Sequence, residues 1–376
     1  MRRLFWQLGG SLSIYVHVPF CSRRCAYCNF TSIASSDPEL YLRYFKLLWR
    51  EIELRSFQLE GKDMVSLYFG GGTPSHVPAK LLSKTLEVIL KYVKVPDEFE
   101  FTVEVNPEDI NEEIAGDYSV LGVNRISIGL QAAQDDILRL IGRPHTFEDF
   151  IKAWKILERR FNDINIDFIV GLPMESRETI AEDVKLVSWL RPSHVSVYML
   201  EEEKLDAEKK ALLPDEEEVV EHFLIFCNTL SDEGYRRYEI SNWYLTKPSF
   251  HNLSYWKNQD YIGVGLSAGG HVSRFRYVNT GNLRVYSEKI LEGKLPYEYA
   301  HNNSEEEELR ETLFMCLRLI EGCDLADLEK RFSGQLLGRY LKKLLTNPHY
   351  FERQNKKLRL TSLGILHSAS AMEMLV

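Results

Sequence analysis

The chain has 376 residues, of which 44% are hydrophobic and 27% are charged, and its formal net charge is −9. This composition is that of an ordinary globular protein of about two domains, and it excludes a disordered or fibrous chain. The acidic balance gives no general attraction to nucleic acid, which we therefore do not expect as a partner.

The beginning of the chain, residues 1–20, lacks the apolar core and the small-residue cleavage site of a signal peptide. The sequence contains no run of about 18 apolar residues, so no membrane-spanning helix is expected. We therefore expect a cytoplasmic protein. In that reducing compartment, clustered cysteines are more often metal ligands or catalysts than disulfides.

Six apolar, β-branched runs alternate with longer segments whose apolar residues recur at helical spacing. This alternation predicts parallel strands joined by helical crossovers, arranged as a TIM-like barrel if the sheet closes and as a doubly wound sheet if it stays open. The predicted strands span 13–18, 65–69, 100–105, 125–130, 164–170 and 194–200, and the predicted helices include 41–57, 79–93, 147–161 and 177–190.

The remaining chain divides into two further parts. Residues 201–218 are rich in Glu, Lys and Asp and predict a solvated linker and helix start. Residues 301–376 predict three helices and a hairpin, a pattern that resembles a winged helix. The chain is too acidic to favour DNA binding by this part, so we expect it to act as a cover for the barrel or as a dimer element. The predicted domains are 1–200, 201–300 and 301–376.

Polar and glycine residues follow the carboxyl ends of the predicted strands. In parallel α/β folds, ligands bind at that edge, so a barrel-like site is expected there. The segments concerned are the cysteine loop after the first strand, 70–74 (GGGTP), 104–109 (EVNPED), 129–131 (GLQ) and 170–173 (VGLP).

Three of the six cysteines, Cys21, Cys25 and Cys28, stand in one loop with the spacing C-x3-C-x2-C. A closed zinc site normally needs four ligands, and His17, on the preceding strand, is a weak candidate for the fourth. Three thiolates suit a four-iron cubane cluster, which then keeps one iron open for a small molecule. The other cysteines stand in apolar helical segments and are expected to be free thiols in the core: Cys227, Cys316 and Cys323.

The cysteine loop follows the first predicted strand, and an aromatic residue, Tyr27, precedes its last cysteine. This pattern resembles the signature of the radical S-adenosylmethionine (SAM) superfamily. The GGGTP segment resembles the one that receives the methionine end of SAM in those proteins, where glycines permit close approach to the backbone. The resemblance implies an α/β fold, a partial TIM-like (β/α)6 barrel with a small C-terminal winged-helix-like domain.

Longer motifs narrow the resemblance to one family. YVHVPFCSRRCAYCNF, LYFGGGTPS, EVNPEDI, GVNRISIGLQ, IGRPHT and IDFIVGLP together resemble the HemN/HemW family, which contains oxygen-independent coproporphyrinogen III oxidases and haem chaperones. By that resemblance, Cys21, Cys25 and Cys28 hold a [4Fe–4S] cluster. Four residues stand where the oxidase contacts a second SAM molecule: Tyr27, Gln131, Arg143 and Asp167. Whether a second SAM molecule binds to this chain stays open. The first SAM molecule is expected at Tyr15, Gly71, Gly72, Thr73 and Glu104.

Two features indicate the chaperone branch of this family. The oxidases continue their motif to a further cysteine, where this chain has Phe30. The segment HNLSYW (251–256) matches the H-N-x-x-Y-W motif associated with haem, which implies His251 as an axial ligand, with Tyr255 and Trp256 stacking on the porphyrin. Without the motif, a histidine beside aromatic residues is more often structural. One departure is Gly269, where related chains usually carry a histidine.

The sequence therefore supports two alternative functions. The first is a haem chaperone that binds haem, a [4Fe–4S] cluster and SAM and delivers haem to apo-haemoproteins. The alternative is an enzyme that forms protoporphyrinogen IX from coproporphyrinogen III, in which the cluster and SAM supply the radical chemistry. The sequence leaves open whether SAM is cleaved, whether the chain forms a homodimer and whether it contacts a membrane transiently.

Overall fold

The structure, a computed structural model, describes residues 10–375. The prediction that the chain has no signal peptide concerns residues 1–20, and the first nine of these lie outside the described residues. Among residues 10–375, no helix combines the length and the apolar character needed to cross a bilayer.

The first part of the chain alternates strands and helices as the sequence predicts, and all six predicted strands and four predicted helices are present. The apolar side chains of β1, Leu12, Ile14 and Val16, are fully buried among the helices. The elements are β1 (Ser11–Val18), β2 (Phe20–Cys21), β3 (Ile33–Ala34), α1 (Pro38–Leu54), α2 (Ser56–Leu59), β4 (Asp63–Gly71), α3 (Ala79–Ile89), β5 (Glu100–Val105), α4 (Glu112–Leu121), β6 (Arg125–Gln131), α5 (Asp135–Leu140), α6 (Phe147–Leu157), β7 (Ile164–Val170), α7 (Arg177–Leu190) and β8 (His194–Met199).

The middle part of the chain adds short elements to both ends of this sheet. Its first segment is largely exposed and starts a long helix, as its acidic composition predicts. The elements are α8 (Ala207–Lys210), α9 (Glu216–Asp232), β9 (Arg236–Glu239), β10 (Asn242–Tyr244), α10 (Phe250–Trp256), β11 (Tyr261–Val264), β12 (Gly269–Val272), β13 (Phe275–Asn279), α11 (Leu283–Leu291) and β14 (Tyr297–Asn302).

The strands form one twelve-stranded sheet in the order β14-β13-β12-β11-β1-β4-β5-β6-β7-β8-β10-β9. From β11 to β8 all neighbours are parallel, and the strands outside that stretch are antiparallel. Within the described residues, no strand pairing joins β14 to β9. The sheet is therefore an open, partial barrel, which confirms the predicted fold class.

Polar side chains alternate with the apolar ones along the central strands, and they meet on the inner face of the barrel. Because successive side chains of a strand point to opposite faces, this alternation separates an apolar outer layer from a polar interior. The hydroxyl of Ser66 on β4 donates to that of Ser13 on β1 over 2.8 Å. The amide of Asn165 on β7 donates to the hydroxyl of Ser127 on β6 over 2.7 Å.

The C-terminal part has a hydrophobic core of its own, which includes Leu309, Leu344 and Leu358. Its order of helix, strand, two helices and hairpin agrees with the predicted winged-helix-like arrangement. The elements are α12 (Glu305–Cys316), β15 (Cys323–Asp324), α13 (Leu325–Arg331), α14 (Gly334–Leu345), β16 (Phe351–Gln354), β17 (Lys357–Leu360), α15 (Ser362–Leu366) and α16 (Ser368–Glu373).

The prediction of free thiols at Cys316 and Cys323 was wrong, because the two form a disulfide with a Cα–Cα distance of 5.1 Å. The turn after α12 ends at Gly322, whose φ of 73° favours glycine, and it reverses the chain so that the two cysteines face each other. Cys227 is a free thiol, as expected.

Candidate functional site

A cavity of about 420 Å³ opens at the carboxyl edge of the parallel strands. It gathers every residue that the sequence predicts as a cluster or SAM contact, with the exception of Tyr15. The predicted residues on its wall are Cys21, Cys25, Tyr27, Cys28, Gly71, Gly72, Thr73, Glu104, Gln131, Arg143 and Asp167.

The cysteine loop forms one side of the cavity and is fixed by backbone hydrogen bonds. The Ala26 amide donates to the carbonyl of Ile141 over 2.9 Å, which ties the loop to the end of α5. Burial raises the pKa of the Cys21 thiol to about 11, and burial also raises the pKa of Cys28. The thiols of Cys21 and Cys28 therefore stay protonated at neutral pH until a metal replaces their protons.

The three cysteines are suited to a cluster more than to a single metal ion. Among residues 10–375, no group of three or more His, Cys, Asp or Glu side chains is arranged to hold one metal ion. A cubane cluster makes a different demand, since each cysteine binds its own iron. His17 does not serve as a fourth ligand here, because its Nδ1 contacts the Tyr15 hydroxyl at 3.0 Å and its Nε2 contacts the Thr31 carbonyl at 2.8 Å.

Arg143 places a buried positive charge beside the cysteine loop. Its guanidinium donates to the Asn106 side chain over 2.9 Å and to the carbonyl of Gly129 over 2.6 Å. A second nitrogen of the same group lies 3.9 Å from the sulfur of Cys25. A cation at this position offsets the negative charge that three thiolates and a cluster would bring.

The glycine segment after β4 forms a tight cradle. Gly71 has a φ of 108°, and a Cβ atom there would stand 2.2 Å from the His17 ring. A Cβ atom at Gly72 would meet the backbone of Pro19 at 2.7 Å. Side chains are therefore excluded at both positions, and the backbone itself faces the cavity. The Thr73 hydroxyl lies 3.4 Å from the sulfur of Cys21, so the cradle adjoins the cysteine loop.

Glu104, at the end of β5, is the acidic group next to this cradle. It accepts hydrogen bonds from the Tyr68 hydroxyl at 2.7 Å and from the Gly71 amide at 3.0 Å. Burial raises the pKa of Glu104 to about 7. Within residues 10–375, Glu104 forms no salt bridge, and a half-buried carboxylate of this kind fits an ammonium group, such as that of an amino acid.

Asp167, on β7, is a second acid on the cavity wall. It accepts from the Ser127 hydroxyl at 3.0 Å and from the Asn165 amide at 2.8 Å, and burial raises its pKa. Its oxygens suit hydroxyl donors such as those of a ribose. Gln131 adjoins it with a φ of 76° at an irregularity between β6 and β7, an unusual conformation that is typical of functional sites.

This set of residues fits a [4Fe–4S] cluster together with SAM. Three thiols for iron, a glycine cradle, an acid for an ammonium and an acid for hydroxyls line one cavity. When bound, the cluster would supply an electron to the SAM sulfonium. Tyr15 lies apart from this wall. Its hydroxyl is engaged with His17, and its ring centroid is 6.1 Å from that of Tyr68, which does line the cavity.

His251 does not lie on the cavity wall but beneath it, in the polar interior of the barrel. It is 1% exposed. Its Nδ1 contacts the Ser66 hydroxyl at 2.8 Å, and its Nε2 contacts the Tyr255 hydroxyl at 2.9 Å. Burial, with a smaller contribution from the nearby Arg125 charge, lowers the pKa of His251 to about 3, so the ring is neutral.

The other two residues of the predicted haem segment flank the end of α10. Tyr255 is half-buried and covers the lone pair of His251 Nε2. Trp256 is also half-buried, and the guanidinium of Arg318 lies 4.5 Å from its ring centroid. Within residues 10–375, the indole nitrogen of Trp256 has no hydrogen-bond partner. The three residues are therefore neighbours, but His251 is enclosed in this conformation.

Several residues of the site were missed by sequence reasoning. Tyr68 stands two residues before the glycine segment and looks like an ordinary strand aromatic, although its hydroxyl donates a hydrogen bond to Glu104. Ser127 and Asn165 are single polar residues in apolar runs. Only the period-2 alternation of the strands could have indicated that their side chains face the barrel interior. The others that line the cavity include Asn106, Tyr198, Met199 and Glu201.

Two family models match the chain. Residues 15–187 match the radical SAM superfamily, and residues 303–367 match the HemN C-terminal domain. The first match spans the barrel from β1 to α7, including the cysteine loop and the glycine segment. The second spans most of the C-terminal part.

Curated relatives match over most of their length. The chain is 32% identical to "Heme chaperone HemW" of Bacillus subtilis, covering 87% of this chain and 88% of that protein. It is 30% identical to the protein of the same name from Lactococcus lactis, covering 94% of both chains. Another, from Escherichia coli, is 32% identical, covering 70% of both.

Among solved structures, the fold is similar to that of coproporphyrinogen III oxidase (HemN) from Escherichia coli, described as a radical SAM enzyme. The TM-score is 0.84, the identity is 21%, and the alignment covers 97% of this chain and 90% of the other. At this identity the likeness establishes the fold, including the C-terminal part, and no more.

Proposed function

The chain belongs to the HemN/HemW family of the radical SAM superfamily, and from this premise we propose that it is a haem chaperone. It binds haem and delivers it to apo-haemoproteins in the cytoplasm. The observation that carries this proposal is the similarity, over 70–94% of the chain, to relatives named as haem chaperones. Phe30, at the mouth of the cavity where the oxidases have a further cysteine, supports the same branch.

We further propose that the cavity holds the [4Fe–4S] cluster and SAM. Cys21, Cys25 and Cys28 would each hold one iron of the cluster, which would leave one iron open for SAM. Glu104 accepts the ammonium group of SAM, and Asp167 accepts its hydroxyl groups. The support is the assembly of all these side chains on one wall and the exclusion of other side chains by the glycine cradle. Tyr15 acts through His17 and Tyr68 in this proposal, since it lies behind the wall.

For haem, we propose His251 as the axial ligand, after a local opening. Its neutral ring is the form that binds iron. Nε2 is the nitrogen available for the metal, because the Ser66 hydroxyl donates to Ser13 and so accepts from Nδ1. Binding therefore requires the Tyr255 hydroxyl to leave Nε2. Tyr255 and Trp256 would then stack on the porphyrin.

A second candidate function is the oxidase reaction. The observation in its favour is that the four residues at second-SAM positions all line the cavity. In this alternative the chain's residues position the substrate propionate and exclude water, while cluster and SAM supply the radical. The residues are Tyr27, Gln131, Arg143 and Asp167.

Haemin titration of the anaerobically reconstituted protein tests the proposal. We expect a Soret band that saturates at a fixed stoichiometry and is lost in His251→Ala. His222→Ala is the matched control, because His222 is equally buried but lies on α9, with Glu175 as its partner at 2.7 Å. It should keep the band.

The same preparation separates the two functions. Coproporphyrinogen III is added with SAM and a strong reductant, and the tetrapyrrole products are extracted. Formation of protoporphyrinogen IX by a protein that binds no haem would establish the oxidase and refute the chaperone. A Soret band without conversion supports the chaperone.

A further inference from the structure

We propose that SAM and haem oppose each other's binding, because α10, which carries His251, also supports both acids of the SAM cavity. This inference rests on the proposed function. It adds a regulatory link between two sites that the sequence presents as separate motifs. Three sets of contacts carry it: one route from α10 to each acid, and a pair of anchors at the ends of the helix.

The first route runs from His251 to Glu104. The His251 ring stacks on the Tyr68 ring, with centroids 4.9 Å apart and planes 26° apart. The Tyr68 hydroxyl in turn donates to Glu104 over 2.7 Å. The position of the ammonium-binding carboxylate therefore depends on a ring that lies flat against the histidine.

The second route runs from the neighbouring residue, Asn252, to Asp167. The side-chain amide of Asn252 donates to the Tyr238 hydroxyl over 3.1 Å. That hydroxyl contacts His194 Nε2 at 3.1 Å, and His194 Nδ1 contacts the side-chain oxygen Oδ1 of Asn165 at 2.7 Å. Asn165 then donates to Asp167 over 2.8 Å. The chain is continuous and buried for most of its length, since His194 and Asn165 are each 1% exposed.

Both ends of α10 are anchored in the closed state, and His251 and Asn252 are consecutive residues of this helix, so a displacement of α10 would move both of them. At its start, the Glu100 carboxylate accepts from the Ser249 hydroxyl at 2.8 Å, the Phe250 amide at 2.7 Å and the His251 amide at 3.1 Å. After its end, Arg331 of the C-terminal part donates to the Lys257 carbonyl over 3.3 Å.

Two states follow from these contacts. In the closed state described here, His251 is enclosed and both acids are held in place by α10. In the open state, a displacement of α10 breaks the stack on Tyr68 and the bond to Tyr238. The Tyr255 side chain, which lies on the same helix as His251, also turns away from Nε2 and leaves it free for the haem iron. SAM favours the closed state because it uses the oriented acids, whereas haem favours the open state. A ligand shifts such an equilibrium only through its different affinity for the two states, and the effect is reciprocal.

The test is a pair of reciprocal titrations on the cluster-loaded protein. Saturating SAM should weaken haemin binding by about fivefold or more, and haemin should weaken SAM binding by the same factor. Haemin is followed by its Soret band and SAM by equilibrium dialysis. Adenosine, which lacks the ammonium group, is the control ligand, and it should weaken haemin binding less than SAM does.

Tyr238→Phe tests the second route, because Tyr238 lies outside both proposed sites. Loss of its hydroxyl removes the bonds to Asn252 and His194. We expect SAM to bind about two- to tenfold more weakly and haemin to bind more tightly. Tyr244→Phe is the matched control. Its ring packs against that of Tyr238 at 5.8 Å but lies outside the hydrogen-bonded route, so both affinities should stay unchanged.

The opposite signs distinguish coupling from general damage, which would weaken both ligands together. Haem binding that is indifferent to SAM, or SAM binding that is unchanged in Tyr238→Phe, would overturn the coupling alone. Absence of haem binding in every form would refute the proposed function, and the coupling with it.

Discussion

The acid that would bind the SAM ammonium group gives the affinity for SAM a definite dependence on pH. Glu104 has a pKa raised to about 7 by its burial. Below that pH the free protein holds a neutral carboxylic acid, which does not attract an ammonium group. The α-amino group of the ligand keeps its proton below about 7.7. Acidification through pH 7 therefore weakens binding by protonating the protein and not the ligand.

The size of the effect follows from the pKa. Glu104 is about half ionised at pH 7 and about one-eleventh ionised at pH 6. The affinity should therefore fall about five- to sixfold between pH 7 and pH 6, which is about 1 kcal/mol, and about tenfold for each further unit. Since the bound state needs the carboxylate, binding at pH 6 should release about 0.9 proton.

Isothermal titration calorimetry of the cluster-loaded protein with SAM measures the affinity at each pH. The number of protons released on binding is obtained by repeating the titration in two buffers of different ionisation enthalpy. Glu104→Gln should bind weakly and lose the dependence on pH. Glu201→Gln, which alters a carboxylate at the rim of the same cavity, should keep it. An affinity that is the same at pH 7 and pH 6, or a slope that survives in Glu104→Gln, would refute the assignment of Glu104 as the ammonium partner.

Three further predictions concern the cluster, the helix α10 and the disulfide. Cys21→Ala should lose the brown absorbance and the bound iron, whereas Cys227→Ala should keep both. Glu100→Gln should lower the free energy of unfolding by about 1–3 kcal/mol in urea titrations, because the start of α10 loses a charged acceptor of three hydrogen bonds. In protein purified in air, Cys316 and Cys323 should resist alkylation under denaturing conditions until a reductant is added, as judged by peptide mass.

Each of these predictions has an outcome that contradicts it. A full iron content in Cys21→Ala would refute the assignment of Cys21 as a cluster ligand. An unchanged midpoint and slope in Glu100→Gln would mean that α10 does not depend on this cap. Immediate alkylation of both cysteines by a protein that has not met reductant would show that the disulfide is absent in solution.

The barrel was predictable from the sequence because its strands are parallel and buried. Such strands appear as apolar, β-branched runs, and they alternate with amphipathic helices, of which the predicted 177–190 coincides with the observed Arg177–Leu190. The short strands from β9 to β14 gave no comparable signal. The pairing of β11 with β1 joins residues about 250 positions apart, which no local pattern reports.

The candidate site was predictable for the same topological reason. Residues at the carboxyl ends of parallel strands share one edge, so the segment that starts at Glu104 was expected near the cysteines. Asp167, in the middle of β7, was expected there only from the family resemblance. The support of these acids was not predictable, since Tyr68 and His194 look like ordinary strand residues. The enclosure of His251 was equally hidden. Its motif indicates haem, but only the structure places the ring under Tyr68 with both nitrogens bonded.

Transfer of haem to an acceptor protein is the decisive assay for the proposed chaperone function. The cluster-loaded protein, saturated with haemin and freed of excess, is mixed with an apo-haemoprotein whose holo form has a distinct Soret maximum. The band should shift to that of the acceptor faster than by spontaneous haem exchange, and His251→Ala should neither hold nor transfer haem. A protein that binds no haem, or one that binds it and does not accelerate its transfer, is not a haem chaperone.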